Sequence, residues 1–200
     1  MASFAIEDNI SLPLQLDILL SSTTVNNPAM SQSLDMQAAA KLFFSQPTFA
    51  VAGASSNTAK FGYKIFDWYL QRGLNAIPLN PTCSTVLVGE QEYAAVSTIA
   101  NLSDPTNTSL SVITPPAVTA QLLKEAKEAG IKAVWLQPGA FTDAELEYAI
   151  KEFPGGAVAG FAKGTRGGEG WCVLVDGDAA LKAAATGSKA GSRNPKQTNL

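Results

Sequence analysis

The stretch Phe49–Leu70, FAVAGASSNTAKFGYKIFDWYL, decides how this chain folds. It opens as a short apolar run and breaks at Gly53. It resumes with Phe61, Ile65, Phe66, Tyr69 and Leu70 at helical spacing. A short apolar run reads as a buried strand, and the later spacing as an amphipathic helix that Gly73 ends. Between them stands Gly53-Ala54-Ser55-Ser56-Asn57. A glycine after a strand lets the backbone turn sharply and come close to a ligand, and the free N–H groups of the next helix attract an anion. Ser55, Ser56 and Asn57 add hydroxyl and amide donors. Strand, turn and helix together predict a phosphate-binding turn; a tight turn with capping serines is the plainer alternative.

The same alternation continues outward. SLDMQAAAKLFF predicts a helix capped by Ser33, with Met36, Ala39, Ala40 and Phe43 on one face. NAIPLNP predicts a second strand closed by Asn80-Pro81, and TCSTVLVGEQEYAAVSTIANL a short helix or two. SLSVIT is a third strand, from Ser109. Pro115 and Pro116 start a helix with the stripe Val118, Leu122, Leu123, Ala126 and Ala129. IKAVWLQPG is a fourth strand. Thr142 caps a further helix, whose acids Asp143 and Glu145 suit its positive end and whose buried face is Leu146, Ala149, Ile150 and Phe153. WCVLVDGD reads as a fifth strand and DAALKAAA as a last helix. Strand–helix alternation predicts a parallel sheet with helices on both faces. Right-handed crossovers bring every strand's C-terminal end to one edge, where ligands bind. The candidate site therefore lies at Gly53 to Asn57, Asn80 to Cys83, Thr114 to Pro116 and Gln137 to Gly139.

Composition narrows the function. The chain has 200 residues, the size of one domain, and 46% of them are hydrophobic, enough for a core. Net charge is −3 with only 14 Lys and Arg, which disfavours a nucleic-acid surface. No apolar run is long enough to span a bilayer. Two cysteines, Cys83 and Cys172, point to a reducing, cytoplasmic setting. SLPLQLDILL fits neither a secretory signal nor an Arg-rich transit peptide. The expected organisation is a flexible extension over 1–32, one domain over 33–185 and a disordered tail over 186–200. The chain contains no histidine, which excludes a Ser-His-Asp triad, a Cys-His pair, a phosphohistidine and the commonest zinc ligand. No metal site and no catalytic acid–base pair stands out.

A dinucleotide fingerprint has three glycines and an acidic residue at the end of the second strand. Here Gly53 and Gly62 have the wrong spacing, and the second strand ends in the neutral PLNP. Standard NAD recognition is disfavoured. Taken together, VAGASSNTAKFGYKIFDWYLQRGLNAIPLNP, VLVGEQEYAAVSTI and VITPPAVTAQLLKEAKEAGIKAVWLQPG resemble the CoA-binding domain family. This is the single-domain group related to the N-terminal domain of the succinyl-CoA synthetase alpha subunit. The resemblance runs over roughly residues 34–150, and its most specific pieces are the Gly-x-Ser turn, the NP after the second strand and WLQPG after the fourth.

The resemblance implies a Rossmann-like three-layer fold with a mostly parallel sheet of about five strands, binding coenzyme A or an acyl-CoA at the strand ends. It places Gly53, Ser55 and Asn57 at the diphosphate, with Ala54 and Ser56 beside them as cofactor-binding positions. Asn80 and Pro81 line the pocket near the pantetheine or diphosphate. Thr114, Pro115 and Pro116 flank the adenine, and Gln137, Pro138 and Gly139 close the far side. Lys60 is a cation for a phosphate, as is Lys64, though both also suit a solvated helix face. Pro115 and Pro116 also suit a plain helix start, and Gln137 a loop backbone. The chain departs from the family in VLVDGD, which has Asp176 but not the Asp-Arg-Cys-like strand end. It departs again in GFAKGTRGGEG, which reads as an inserted hairpin or lid. Cys83 reads as a loop cysteine and Cys172 as buried and inert. The expected role is non-catalytic or regulatory binding of a small nucleotide ligand by a monomer or homodimer, with no nucleic-acid or membrane partner. The alternatives are a small enzyme using NAD(P) or an acyl-CoA, and a nucleotide-sensing interaction module.

Overall fold

The computed structural model describes residues 28–160 and 171–190. SLPLQLDILL, nearly all of GFAKGTRGGEG and the last part of the expected tail lie outside the described residues. Helix α1 (Pro28–Phe44) leads into β1 (Thr48–Ala52), followed by α2 (Phe61–Gln71) and β2 (Ala76–Leu79). A hairpin of β3 (Thr85–Val88) and β4 (Gln91–Ala94) comes next, then two 3₁₀ turns, Ile99–Asn101 and Pro105–Asn107. The chain continues through β5 (Thr108–Val112), α3 (Pro116–Glu128), β6 (Val134–Leu136), α4 (Asp143–Glu152), β7 (Ala157–Val158) and α5 (Val173–Ala190).

Strands β1, β2, β5, β6 and β7 form one parallel sheet in the order β2-β1-β5-β6-β7. The fold is the expected Rossmann-like α/β architecture, with helices on both faces. Counting the parallel strands alone, the order is 2-1-3-4-5, so the two halves of the sheet diverge between β1 and β5. That split is where a ligand crevice opens in such sheets.

Alternation along the strands builds two cores. Phe49, Val51, Trp135 and Val158 pack with α1, α2 and α5. Ala50, Ala52, Leu110, Val112, Val134 and Leu136 pack with α3 and α4. The first core is aromatic: Phe43, Phe44, Phe49, Tyr69 and Trp135 are all buried, with Phe49 and Tyr69 stacked at 5.4 Å and Phe43 edge-on to Trp135 at 5.4 Å. Such rings each bury large apolar area. β5 makes room for them with the small residues Ser109 and Ser111, and the Ser109 hydroxyl donates to the Phe43 carbonyl at the end of α1. On the outer side of the sheet, Arg72 at the end of α2 lies 4.0 Å above the Trp68 ring and donates to Asp178, tying α2 to α5.

Several expectations are corrected. α1 begins at Pro28, so Ser33 lies inside it, and residues 28–32 of the expected extension are helical. The segment after β2 is a hairpin, whose tight turn uses Gly89 at φ +60°. WCVLVDGD is not the fifth strand; that strand is Ala157–Val158, and α5 starts at Val173. Short apolar runs fit strand and helix alike. Here the Cys172 carbonyl accepts the N–H groups of Val175 and Asp176, while Asp176 Oδ2 accepts the Cys172 N–H at 2.8 Å, and this reciprocal pair starts a helix. α5 also runs beyond residue 185, to Ala190. Three residues expected on buried helix faces are exposed, namely Phe61, Val118 and Ile150, whereas Trp68 and Thr119 are buried in their helices.

Candidate functional site

Gly53 follows the last residue of β1 and adopts φ +93°, a conformation that side-chain-bearing residues rarely take. Its N–H donates to the Leu79 carbonyl at 3.0 Å, so the turn starts in register with β2. A Cβ at Gly53 would lie 3.4 Å from the Ile113 carbonyl carbon and from Thr114 Cγ2, across the split between β1 and β5. The turn therefore sits at the crevice, and φ rather than space makes glycine necessary there.

Ser55, Ser56 and Asn57 each accept a backbone N–H. Ser55 Oγ takes that of Asn57 at 3.1 Å and Asn57 Oδ1 that of Ala59 at 3.0 Å. Ser56 Oγ takes that of Leu87, stitching the β3–β4 hairpin to the turn. With their oxygens used as acceptors, the two hydroxyls and the Asn57 amide remain able to donate to an anion. The start of α2 is open as well. Its N-cap Lys60 makes no side-chain cap bond, and no acidic residue stands in its first turn. α4 differs on both counts, since Thr142 and Glu145 form a full capping box; the Thr142 bonds hold the Glu145 carboxyl below the usual range. Lys60 is exposed, and Lys64 Nζ lies 5.4 Å from the Phe61 ring centroid.

Gly62 was noted in the sequence only for its unsuitable NAD spacing, yet it carries the turn. A Cβ there would overlap the Gly53 carbonyl oxygen. The bare backbone of α2 thus rests on the turn, the close helix–strand contact that the last glycine of a dinucleotide fingerprint provides.

Asn80 joins this turn to the next one. Its Nδ2 donates to the carbonyl of Ala54, whose own side chain is buried, at 2.9 Å. Its Oδ1 accepts both the N–H and the hydroxyl of Thr82, at 2.9 and 2.7 Å. Pro81 is exposed and opens a groove of about 590 Å³ lined also by Cys83, Ala95, Val96, Ser97 and Asn101. The groove had no counterpart in the sequence reading beyond Pro81 and Cys83, because its second wall is the hairpin's far end.

The other expected positions divide. Thr114 is half-buried at the end of β5, and its hydroxyl lies 2.9 Å from that of Thr119. Pro115 precedes α3 as its N-cap and Pro116 is its first residue, so both start a helix at the crevice. Gly139 adopts φ +86° and is exposed beside the half-buried Pro138. Gln137 is 2% exposed, and both ends of its amide are used within the fold. Nε2 lies 3.4 Å from Ser111 Oγ and Oε1 accepts the Val173 N–H at 3.0 Å, so the side chain pins the start of α5 to the end of β6. Cys172 and Asp176 stand at that helix start, and burial pushes both the thiol and the carboxyl up. Among the described residues, no group of three His, Cys, Asp or Glu could hold a metal ion, and no helix is long and apolar enough to cross a membrane.

No curated protein matches the chain. Among solved structures, a conserved hypothetical protein from Pyrococcus furiosus is 30% identical, with 52% of this chain and 86% of that one covered and a TM-score of 0.45. Prb, a protein redesigned for binding, is 19% identical over 62% of this chain and 81% of its own, with a TM-score of 0.51. A hypothetical protein from Pyrococcus horikoshii OT3 is 18% identical over 58% of this chain and 79% of its own, also at 0.51. The last two likenesses are of fold. The pattern of the CoA binding domain family matches residues 47–177, from the residue before β1 into α5 and across every turn of the crevice. The chain belongs to the CoA-binding domain family.

Proposed function

We propose that the protein binds coenzyme A or an acyl-CoA at the C-terminal edge of the sheet and holds it without transforming it. The observation that carries the reading is the uncapped N-terminus of α2 resting on the positive-φ turn at Gly53. Helix N–H groups and the macrodipole favour a diphosphate there. Ser55 and Asn57 donate to it, and Lys60 lies at the rim. Gly139 and Pro138 border the crevice on the β6 side, and Thr114 to Pro116 on the β5 side. The neutral end of β2, where Asn80 is engaged with Ala54 and Thr82, offers no carboxylate to a ribose and favours CoA over NAD. A holding role fits a chain without histidine in which the Asp176 carboxyl is spent on starting α5. Native mass spectrometry of the purified protein tests the reading. A retained mass of CoA or an acyl-CoA, or uptake of added CoA in preference to NAD, supports it. Retention of NAD, or preferential uptake of NAD, refutes it.

A further inference from the structure

The groove of about 590 Å³ at Pro81 opens one residue from Asn80, whose amide is bonded to the phosphate turn at Ala54. A ligand whose diphosphate rests on Gly53 can extend one of its two ends into it. Among the described residues, every side chain of the lining is uncharged. The phosphorylated ribose end carries negative charge, and burying charge without a partner is costly. The pantetheine end is neutral, with amides, methyl groups and a thiol or thioester. At the far wall, Ser97 Oγ and Thr98 Oγ1 both donate to Asn101 Oδ1 at 2.9 Å, which leaves the Asn101 amide hydrogens for a carbonyl. The apolar part of the lining is short, being Pro81, Ala95 and Val96.

Resting on the CoA reading, we infer that this groove takes the thioester end of the ligand and selects short, uncharged acyl groups. Asn101 faces the acyl carbonyl. An acyl group ending in a carboxylate finds no cation there. A long chain runs out of apolar wall, so carbons beyond the first few add no affinity.

The test is calorimetric titration of the full chain with CoA, acetyl-CoA, succinyl-CoA and octanoyl-CoA. Acetyl-CoA is expected to bind at least as tightly as CoA and about tenfold more tightly than succinyl-CoA, as expected for an unpaired charge against a neutral wall. Octanoyl-CoA should gain nothing over acetyl-CoA. Ser97→Arg, at an exposed position on the groove, should reverse the preference between acetyl- and succinyl-CoA. In a second arm, acetyl-CoA should slow maleimide labelling of Cys83 more than 3′,5′-ADP does. Equal affinity for acetyl- and succinyl-CoA, an unchanged ratio in Ser97→Arg, or stronger protection of Cys83 by 3′,5′-ADP would overturn the inference while leaving CoA binding intact. Failure of every CoA compound to bind would overturn the reading beneath it as well.

Discussion

The backbone of Gly62 lies against the carbonyl oxygen of Gly53, with no room for a Cβ between α2 and the turn beneath it. Two glycines nine residues apart, one just after β1 and one in the first turn of α2, thus form one backbone surface. The structure assigns them different needs: Gly53 needs its φ of +93°, and Gly62 needs space. Gly62→Ala forces α2 off the turn and should cost about 1–3 kcal/mol, the usual range for overpacking. Gly53→Ala meets only ordinary contacts and should cost about 1–2 kcal/mol of backbone strain. Denaturant unfolding of both variants, with CoA titration alongside, checks this. Gly62→Ala with wild-type stability and affinity would show that the contact is dispensable.

Asn80 is predicted to act through the turn. Asn80→Ala leaves the Ala54 carbonyl and the Thr82 N–H without their partner, which should cost about 1–3 kcal/mol if both stay dry. Asn80→Asp keeps the acceptor for Thr82 but sets a carboxylate against the Ala54 carbonyl and near the diphosphate. It should therefore bind CoA more weakly than Asn80→Ala does. Titration of the two variants at low and moderate salt settles the order, and the reverse order would refute this assignment.

Gln137 should matter to stability and little to affinity. Gln137→Leu removes the acceptor of the Val173 N–H and should lower stability by about 1–3 kcal/mol. CoA affinity measured on the folded fraction should stay within about threefold of wild type, well under the tenfold that 1.4 kcal/mol represents. A stable variant with a large loss of affinity would place the side chain on the ligand instead.

Asp176 gives a dependence on pH with a definite sign. Burial raises its carboxyl above the ordinary aspartate value of 3.8. An acid raised on folding opposes folding once ionised. The cost is absent where both states are protonated, grows as pH rises from about 3.8 through the folded value, and is constant above it. Asp176→Asn keeps an oxygen for the Cys172 N–H and removes the charge. It should be more stable than wild type at neutral pH, with the advantage fading on acidification. An advantage that grows as pH falls would contradict the placement of this carboxyl.

β1, the turn at Gly53 and α2 could be read from Phe49–Leu70 because there local pattern and tertiary burial agree. The turn residues were legible for the same reason, since Ser55 and Asn57 bond within their own segment. Asn80 and Gln137 stood out in the sequence as strand-end residues, but what they bond was not legible, because their partners lie in other elements, at Ala54, Ser111 and Val173. The hairpin left a trace in VLVGEQEY, where Gly89 separates two short segments and β-branched valines suit a strand better than the short helices expected there. β7 is two residues long and follows two glycines, too short for a periodicity to show. The VLV of α5 misled for the converse reason, and Gly177, which reads as a breaker, sits in a helix because its missing side chain makes room for Trp68. The second wall of the groove at Pro81 was invisible, since Pro81 and Asn101 come to line one groove only after the hairpin has folded.

Whether CoA lies with its diphosphate on the Gly53 turn is decided by titrating CoA into wild type and Gly53→Val, with circular dichroism confirming both folds. A β-branched residue resists the positive φ and crowds the approach to the α2 N–H groups. Wild type should bind at micromolar affinity or tighter, on the scale where 1 μM corresponds to about −8.2 kcal/mol, and a folded Gly53→Val should show no detectable binding. A folded Gly53→Val protein that binds CoA as wild type does would contradict this placement and put the ligand elsewhere.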